Sequence, residues 1–295
     1  MDPKLPNSLL LSILFLSFNI TLNSQAEIGG IVNSYTKVIE INQPCNTLTV
    51  EDASFLEAGD LVLIIQHQGA TIRTENTEDF GDIISYNDAG NYEFNRAGKI
   101  SGNTVQLIED LNSQYSVGGK VQLVKIPEYK EDVVVRTTLT CAPWNGHTGG
   151  VLCFVSEGTV LLEANITVLG RGFRGGTMVD FISTNADRCR ETDYVASFED
   201  NIGSKKGEGV ADFIPNMECG RGKQANGGGG GNIHNAGGGG GSNFGAGGKG
   251  GKEWVRCGSP VLEIGGEGGM AIAYNNFSND KLFMGGGGGG GNEKR

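Results

Sequence analysis

Short apolar runs separated by turn residues are the main pattern in the first half of the chain. The clearest run is Leu61–Ile65, which is continuous, has the length of a buried strand and follows the turn sequence Ala58–Asp60. Residues Thr104–Ile108 and Lys120–Ile126 alternate between apolar and polar, as strands with one buried face do. No long stretch keeps the period of an amphipathic helix. The pattern predicts an all-β fold, with a small β-sandwich or barrel over residues 27–128.

A second β pattern follows Pro127 and a charged connector. Its apolar runs are short and closely spaced, with glycine or asparagine at the corners: Val133–Val135, Gly150–Val155, Thr159–Leu162 and Ile166–Leu169. This spacing favours a sheet or a short β-solenoid layer. We expect it to be the platform on which the following glycine tracts start and end, in a second domain of residues 129–295.

Glycine tracts dominate the last quarter of the chain. Five glycines run over 227–231, five over 237–241 and seven over 285–291, and 29 of the 50 glycines lie between Gly220 and Gly291. Ordering five glycines costs about 5–10 kcal/mol of backbone entropy, whereas each new hydrogen bond returns about 1 kcal/mol net. An isolated tract is therefore expected to stay disordered, as a linker does. In several tracts packed side by side and anchored at their ends, the hydrogen bonds nearly offset the entropy cost of ordering.

Apolar residues between the tracts indicate that the tracts pack together, because a flexible linker would contain serine and threonine at these positions. The sequence therefore predicts packed polyglycine-II-like helices, each with three residues per turn. Asn226 with its five glycines recurs ten residues later as Ala236 with five more. A reversal at residues 232–235 would fold the second tract back antiparallel to the first.

Aromatic residues beside the tracts are the candidate site residues: Phe244, Trp254, Phe277 and Phe283. They have two interpretations. As anchors, they would pin the tract ends to the platform, which is the favoured interpretation. As exposed rings beside flat backbone, they would form a recognition surface for a sugar or a protein.

The N-terminus has the pattern of a secretory signal over residues 1–26. Lys4 precedes the apolar stretch Ser8–Ile20, and Ser24–Ala26 gives a small-x-small cleavage site. The apolar stretch has about 13 residues against the ~20 that a spanning helix needs, so a membrane anchor is disfavoured. We expect a secreted or cell-surface protein without a transmembrane segment after cleavage.

Export changes how the cysteines are interpreted. An even number of cysteines in an exported protein indicates disulfides, and six allow 15 pairings that the sequence does not distinguish. The candidates are Cys45, Cys141, Cys153, Cys189, Cys219 and Cys257.

The charge and the motifs exclude several kinds of chemistry. A net charge of −11 disfavours nucleic acid and anionic lipid as partners. The G-x-G-x-x-G match at Gly170–Gly175 lacks the helix that a dinucleotide site needs, so nucleotide binding is not expected. The histidines His67, His147 and His234 form no close metal-binding pair. The sequence thus indicates no catalytic residue, no metal and no cofactor, although a distant pair of carboxylates, as in glycosidases, stays open.

Several segments together resemble the N-terminal module of large glycine-rich exported proteins of Bacteroidetes. They are Asp52–Gln66, Val121–Val124, Trp144–Val151, Gly170–Gly176 and Leu282–Met284 with the following glycines. Proteins of that family often end in a gliding-motility-associated, type IX secretion sorting domain. The resemblance implies export to the outer surface and an adhesive or matrix role, and it supplies no catalytic residues. Because this sequence ends at Arg295 without such a domain, we expect an N-terminal fragment of a longer protein.

The glycine tracts are also similar in composition to those of phage tail-tip adhesins and of anaplastic-lymphoma-type receptor kinases. The leading hypothesis is therefore a secreted structural or adhesive protein that binds a surface glycan or protein and has no catalytic activity. The alternative is the non-catalytic part of a secreted carbohydrate-active or other hydrolase. A third possibility is ice binding through a flat glycine face.

Overall fold

The computed structural model describes residues 25–181, 192–200, 203–232, 235–252, 264–272 and 281–294. Most of the predicted signal, Cys189, Trp254, Cys257 and Phe277 lie outside these ranges. Within them, no helix is long and apolar enough to cross a bilayer.

The described residues are all-β, as predicted, with short 3-10 turns at Gln43–Cys45, Val117–Gly119 and Phe198–Asp200. The first nine strands are β1 Gln25–Ile31, β2 Ser34–Asn42, β3 Thr47–Val50, β4 Leu61–Gln66, β5 Thr71–Ile72, β6 Ile83–Ser85, β7 Tyr92–Ser101, β8 Thr104–Leu107 and β9 Val121–Lys125. The remaining strands are β10 Glu128–Tyr129, β11 Asp132–Thr140, β12 Val155–Ser156, β13 Val160–Leu162, β14 Val179–Phe181 and β15 Asn292–Lys294.

Six strands close a barrel in the order β2-β3-β8-β7-β4-β9. Its interior contains the inward-facing residues of each strand, among them Val38, Leu48, Val62, Ile64, Val105, Leu107, Val121 and Leu123. Strand β4 is apolar at consecutive positions because both of its faces are buried. Val62 and Ile64 face the barrel interior, whereas Leu63 and Ile65 pack with Val124 on the outside.

A parallel layer packs beside the barrel, and its strands stack as coils of a solenoid. Strand β11 lies between β1 and β13, and β10 pairs with β12, all in parallel. Val133 pairs with Val160 and Leu139 pairs with Ile166, so one coil has 27 residues. Of the two predicted arrangements, a sheet or a short β-solenoid layer, this agrees with the second. The barrel is inserted in the chain between β1 and the next coil.

The first glycine tract, 227–231, is buried, and its backbone bonds to three different neighbours. Its amides donate to carbonyls as follows: Gly228 to Gly287 and Gly231 to Gly290 at 2.8 and 2.9 Å, Gly229 to Glu267 at 2.8 Å, and Gly230 to Gly220 at 2.9 Å. Residues three apart thus bond to the same neighbour. The three tracts and the segments bonded to them form a glycine lattice.

The second tract runs antiparallel to the first, which confirms the predicted reversal. Gly228 faces Gly239 and Gly231 faces Ala236, and the amide of Gly239 donates to the carbonyl of Gly229 at 2.8 Å. The tracts therefore pack as neighbours and do not act as a linker.

The prediction of packed polyglycine-II-like helices is wrong. In the described ranges the tracts contain no helix, and the only helical elements are the short 3-10 turns outside them. The tract amides described above bond to other segments, and the tracts are irregular segments of a lattice. The sequence indicated the packing but not this state of the backbone.

Buried Asn226 joins the ends of all three tracts. Its side-chain amide donates to the carbonyls of Ser242 and Met284 at 3.3 and 3.1 Å, and its Oδ1 accepts from the amide of Val210 at 2.8 Å. Ser242 follows the second tract and Met284 precedes the third. One side chain thus satisfies backbone groups where the ends of the tracts meet.

We predict that Gly229→Ala destabilises the protein strongly, whereas Gly248→Ala is nearly neutral. A Cβ at Gly229 would overlap the carbonyl of Arg221 and lie 2.8 Å from that of Gly222, whereas one at Gly248 meets nothing within 4 Å. Overpacking costs about 1–3 kcal/mol, and more where backbone must move. Urea denaturation of both variants measures the difference, and equal losses would contradict a close-packed lattice.

Candidate functional site

A cleft of about 880 Å³ lies where the barrel, the turns of the solenoid layer and the glycine lattice meet. Its described lining is mostly apolar or glycine: Ile65, His67, Pro143, Trp144, Gly150–Leu152, Val168–Gly170, Gly172–Gly175, Asn243 and Leu282–Gly288. Its aromatic residues belong to a buried cluster, so the walls are held by core packing.

Three segments singled out in the sequence meet at this cleft. The amide of Trp144 donates to the carbonyl of Arg171 at 3.1 Å, which joins segment 144–151 to segment 170–176. The amide of Phe173 donates to the carbonyl of Gly285 at 3.0 Å, which joins the second segment to the third tract. The cleft is therefore built by residues far apart in the chain.

The loop that carries Trp144 depends on a left-handed glycine. Gly149 has φ +102°, and its amide donates to Oε1 of Gln122 at 2.9 Å. Its carbonyl accepts from Nε2 of the same side chain at 2.9 Å. These two bonds fix the orientation of the Gln122 amide on strand β9.

The orientation of Gln122 in turn fixes the state of His67. Nε2 of Gln122 lies 2.6 Å from Nε2 of His67, and because the former is a donor, the latter is an acceptor. Burial lowers the pKa of His67 to about 3, so the ring is neutral and carries its proton on Nδ1. His67 is therefore unsuited to act as a general base near neutral pH.

Two buried ring nitrogens beside the cleft have no hydrogen-bond partner among the described residues. They are Nδ1 of His67 and Nε1 of Trp144, whose residues are 2% and 4% exposed. The two rings pack edge to face with their centroids 4.8 Å apart. An unmade hydrogen bond of this kind costs about 1–3 kcal/mol, so both residues are held there by packing.

The charge of the cleft is small. Arg174 lies in the wall, and its guanidinium is paired with the carboxylate of Glu208 and donates to the carbonyl of Asn145 at 3.0 Å. The bond to Glu208 raises the pKa of Arg174, which stays charged. The described lining contains no carboxylate and only two titratable residues, His67 and Arg174. This arrangement suits the binding of a neutral ligand better than acid–base or nucleophilic chemistry.

The predicted aromatic residues lie in different environments. Phe283 is buried, lines the cleft and packs on Tyr86 at 5.2 Å between ring centroids, whereas Phe244 is 79% exposed. Trp254 and Phe277 lie outside the described residues, so their roles as anchors or recognition residues stay predictions. No set of three or more His, Cys, Asp or Glu residues in the described ranges is placed to hold a metal ion.

The described cysteines are free thiols. Cys141 and Cys219 are buried, Cys153 is half-buried and Cys45 is exposed. Burial raises the pKa of the Cys219 thiol to about 11. Cys189 and Cys257 lie outside the described residues, so the predicted disulfides stay a prediction.

Sequence reasoning did not identify Gln122, and it treated Trp144 only as part of a motif. Gln122 occupies a polar position in an alternating strand, which gave no signal of its contact with Gly149. The loop glycines of 144–151 were the available signal, because a left-handed glycine fixes a turn.

No protein-family model and no curated protein matches the chain. Among solved structures, the gp54 tailspike of Acinetobacter baumannii bacteriophage AP22, in complex with an A. baumannii capsular saccharide, matches at TM-score 0.25 and 14% identity. The match covers 48% of this chain and 22% of that one. The tailspike protein gp49 of Pseudomonas phage LKA1 matches at TM-score 0.23 and 16% identity, and this match covers 48% of this chain and 23% of that tailspike. The match thus spans less than a quarter of either tailspike, and at these TM-scores neither assigns a fold or a function here.

We predict that buried His67 makes the protein less stable in mild acid. Its pKa is about 3 when folded and about 6.5 when unfolded, so only the unfolded state takes up a proton between these values. The contribution of neutral His67 to the free energy of unfolding is complete above about pH 6.5. It is lost as the pH falls toward 3, at up to about 1.4 kcal/mol per pH unit. Urea denaturation at about pH 7 and about pH 5 measures the free energy of unfolding. Between these two pH values it should fall less in His67→Gln than in the wild type.

The control for this experiment is His147→Gln, because His147 is exposed in the loop beside the cleft. This variant should lose stability with pH almost as the wild type does. Parallel losses in the wild type and His67→Gln would show that His67 is not the buried neutral group described.

Proposed function

We propose that this protein is a secreted or cell-surface adhesive protein, in which the glycine lattice is a rigid scaffold and the cleft holds part of a surface ligand. The ligand is a glycan or a protein of the cell surface or matrix. The chain itself catalyses no reaction. The N-terminal signal pattern and the resemblance to exported Bacteroidetes proteins support export.

The chemistry of the cleft is the observation that carries the proposal. Of its two titratable lining residues, His67 is neutral and accepts a bond from Gln122, and Arg174 is paired with Glu208. A hydrolase needs a nucleophile, or an acid and a base, near the bond that it breaks. The described lining offers neither, but it offers a large, mostly apolar surface with a few polar groups, which is typical of a binding site.

The lattice explains how such a site keeps its shape. Gly287 is held on two sides, since its amide donates to the carbonyl of Glu208 and its carbonyl accepts from the amide of Gly228. A wall that is ordered before the ligand arrives adds little conformational entropy to the cost of binding. Preorganisation of this kind favours an adhesive role for the scaffold.

We expect a side chain at Gly285 to weaken adhesion without affecting folding. Gly285 lines the cleft, and a Cβ there would have only Nδ2 of Asn243, at 4.0 Å, as a neighbour. Gly285→Leu therefore fills part of the cleft, whereas the matched variant Gly248→Leu adds the same side chain in open space away from it. Retention of purified protein on cells of the producing organism should fall about tenfold for Gly285→Leu and stay unchanged for Gly248→Leu.

Turnover assays on glycoside and peptide panels complete the test. Adhesion without turnover supports the proposal. Equal adhesion of both variants would contradict a role for the cleft. Hydrolysis by the purified chain would overturn the non-catalytic assignment, whether the chain acts alone or as part of a larger hydrolase.

A further inference from the structure

One wall of the cleft has a row of backbone amides without acceptors among the described residues. In the third tract, Gly285 and Gly288 line the cleft and are half-buried, and their N–H groups donate to no acceptor among the described residues. The other amides of residues 285–290 bond to neighbouring segments: Gly286 to Ser242, Gly287 to Glu208, Gly289 to Gly239 and Gly290 to Lys205. The unpaired donors thus recur at every third residue.

The adjacent segment repeats the pattern. Phe173 and Gly176 donate to the carbonyls of Gly285 and Gly288 at 3.0 and 2.8 Å, so this segment runs parallel to the third tract. Gly172 and Gly175 also line the cleft; the first is half-buried and the second is exposed. Their amides have no acceptor in the described part of the chain. Two parallel segments that line one cleft therefore each have unbonded amides three residues apart.

The spacing of these donors selects a periodic ligand. Backbone without α-helical turns rises about 3.1–3.4 Å per residue, so groups three residues apart lie about 9–10 Å apart along the chain. A polyproline II chain has three residues per turn, so every third carbonyl points the same way at the same spacing. Its carbonyls therefore match the three-residue recurrence of the open amides.

The lining also favours proline in that chain. Proline has a carbonyl but no N–H, so it accepts from the open amides and brings no donor that the cleft would have to pair. The rim is apolar and exposed, with Leu169 90%, Val168 48% and Leu282 46% exposed, which suits proline rings. Proline-rich segments are already in the polyproline II form, so ordering them costs little.

We propose that the cleft binds a proline-rich polypeptide segment in the polyproline II conformation, whose carbonyls accept from the amides of Gly285 and Gly288. This inference rests on the proposed function of the cleft as a ligand site. It assigns a protein ligand to that site in place of a glycan.

The experiment is a titration of the full chain with an oligoproline of about ten residues, which spans about 31 Å. Met284–Gly285 is the one Met–Gly step in the sequence, so ¹³C-carbonyl methionine with ¹⁵N-glycine isolates the Gly285 amide in a spectrum. The Gly285 proton should move downfield as it gains an acceptor. Affinity measured by calorimetry should fall about tenfold or more for Gly285→Leu and stay unchanged for Gly248→Leu.

Leu169→Glu is the second variant, because a side chain this exposed does not affect folding. It should also weaken oligoproline binding. Binding that neither Gly285→Leu nor Leu169→Glu reduces, or that leaves the Gly285 amide unmoved, would place the peptide elsewhere and overturn the inference.

The outcomes separate this inference from the function on which it rests. If oligoproline fails to bind while a neutral oligosaccharide binds and is blocked by Gly285→Leu, the peptide assignment is wrong and the adhesive cleft stands. If Gly285→Leu lowers adhesion but neither probe binds, the peptide assignment again fails alone. If neither probe binds and adhesion is unchanged in Gly285→Leu, both proposals fail.

Discussion

Close approach of backbone to backbone, which only residues without a Cβ allow, is the constraint on which the structure depends. A Cβ at Gly229 would overlap the carbonyl of Arg221, and a Cβ at Gly287 would overlap that of Arg174. The lattice therefore tolerates no side chain at these two positions. The same approach lets amides and carbonyls of different segments bond directly. The lattice wall of the cleft, and the open amides along it, follow from this packing.

The lattice is ordered because other parts of the chain hold its edges. Side-chain Nε2 of Gln68 donates to the carbonyl of Gly209 at 2.8 Å, and the amide of Gly69 donates to that of Val210 at 3.0 Å, which fixes the barrel to the lattice. Asn226 ties the tract ends together from within. Glycine loses more entropy on ordering than other residues, so these fixed edges offset a cost that the tracts alone would not meet.

Local patterns could be predicted from the sequence, and contacts across the chain could not. The run Leu61–Ile65 predicted a buried strand, and the apolar residues between the tracts predicted a packed region. The predicted helices were wrong because a tract of identical residues carries no periodic pattern, so the sequence does not show where each amide finds its acceptor. The orientation of Gln122, which sets the state of His67, depends on Gly149, and no spacing in the sequence indicates that pair.

Hydrogen exchange at the first tract tests the central claim, that laterally bonded glycine segments form a rigid scaffold. The amides of residues 228–231 are buried and donate to four carbonyls of other segments. The account predicts that peptides covering this tract exchange only through large-scale unfolding, orders of magnitude more slowly than an unstructured glycine peptide. Exchange at the unstructured rate would show a flexible linker and contradict the account.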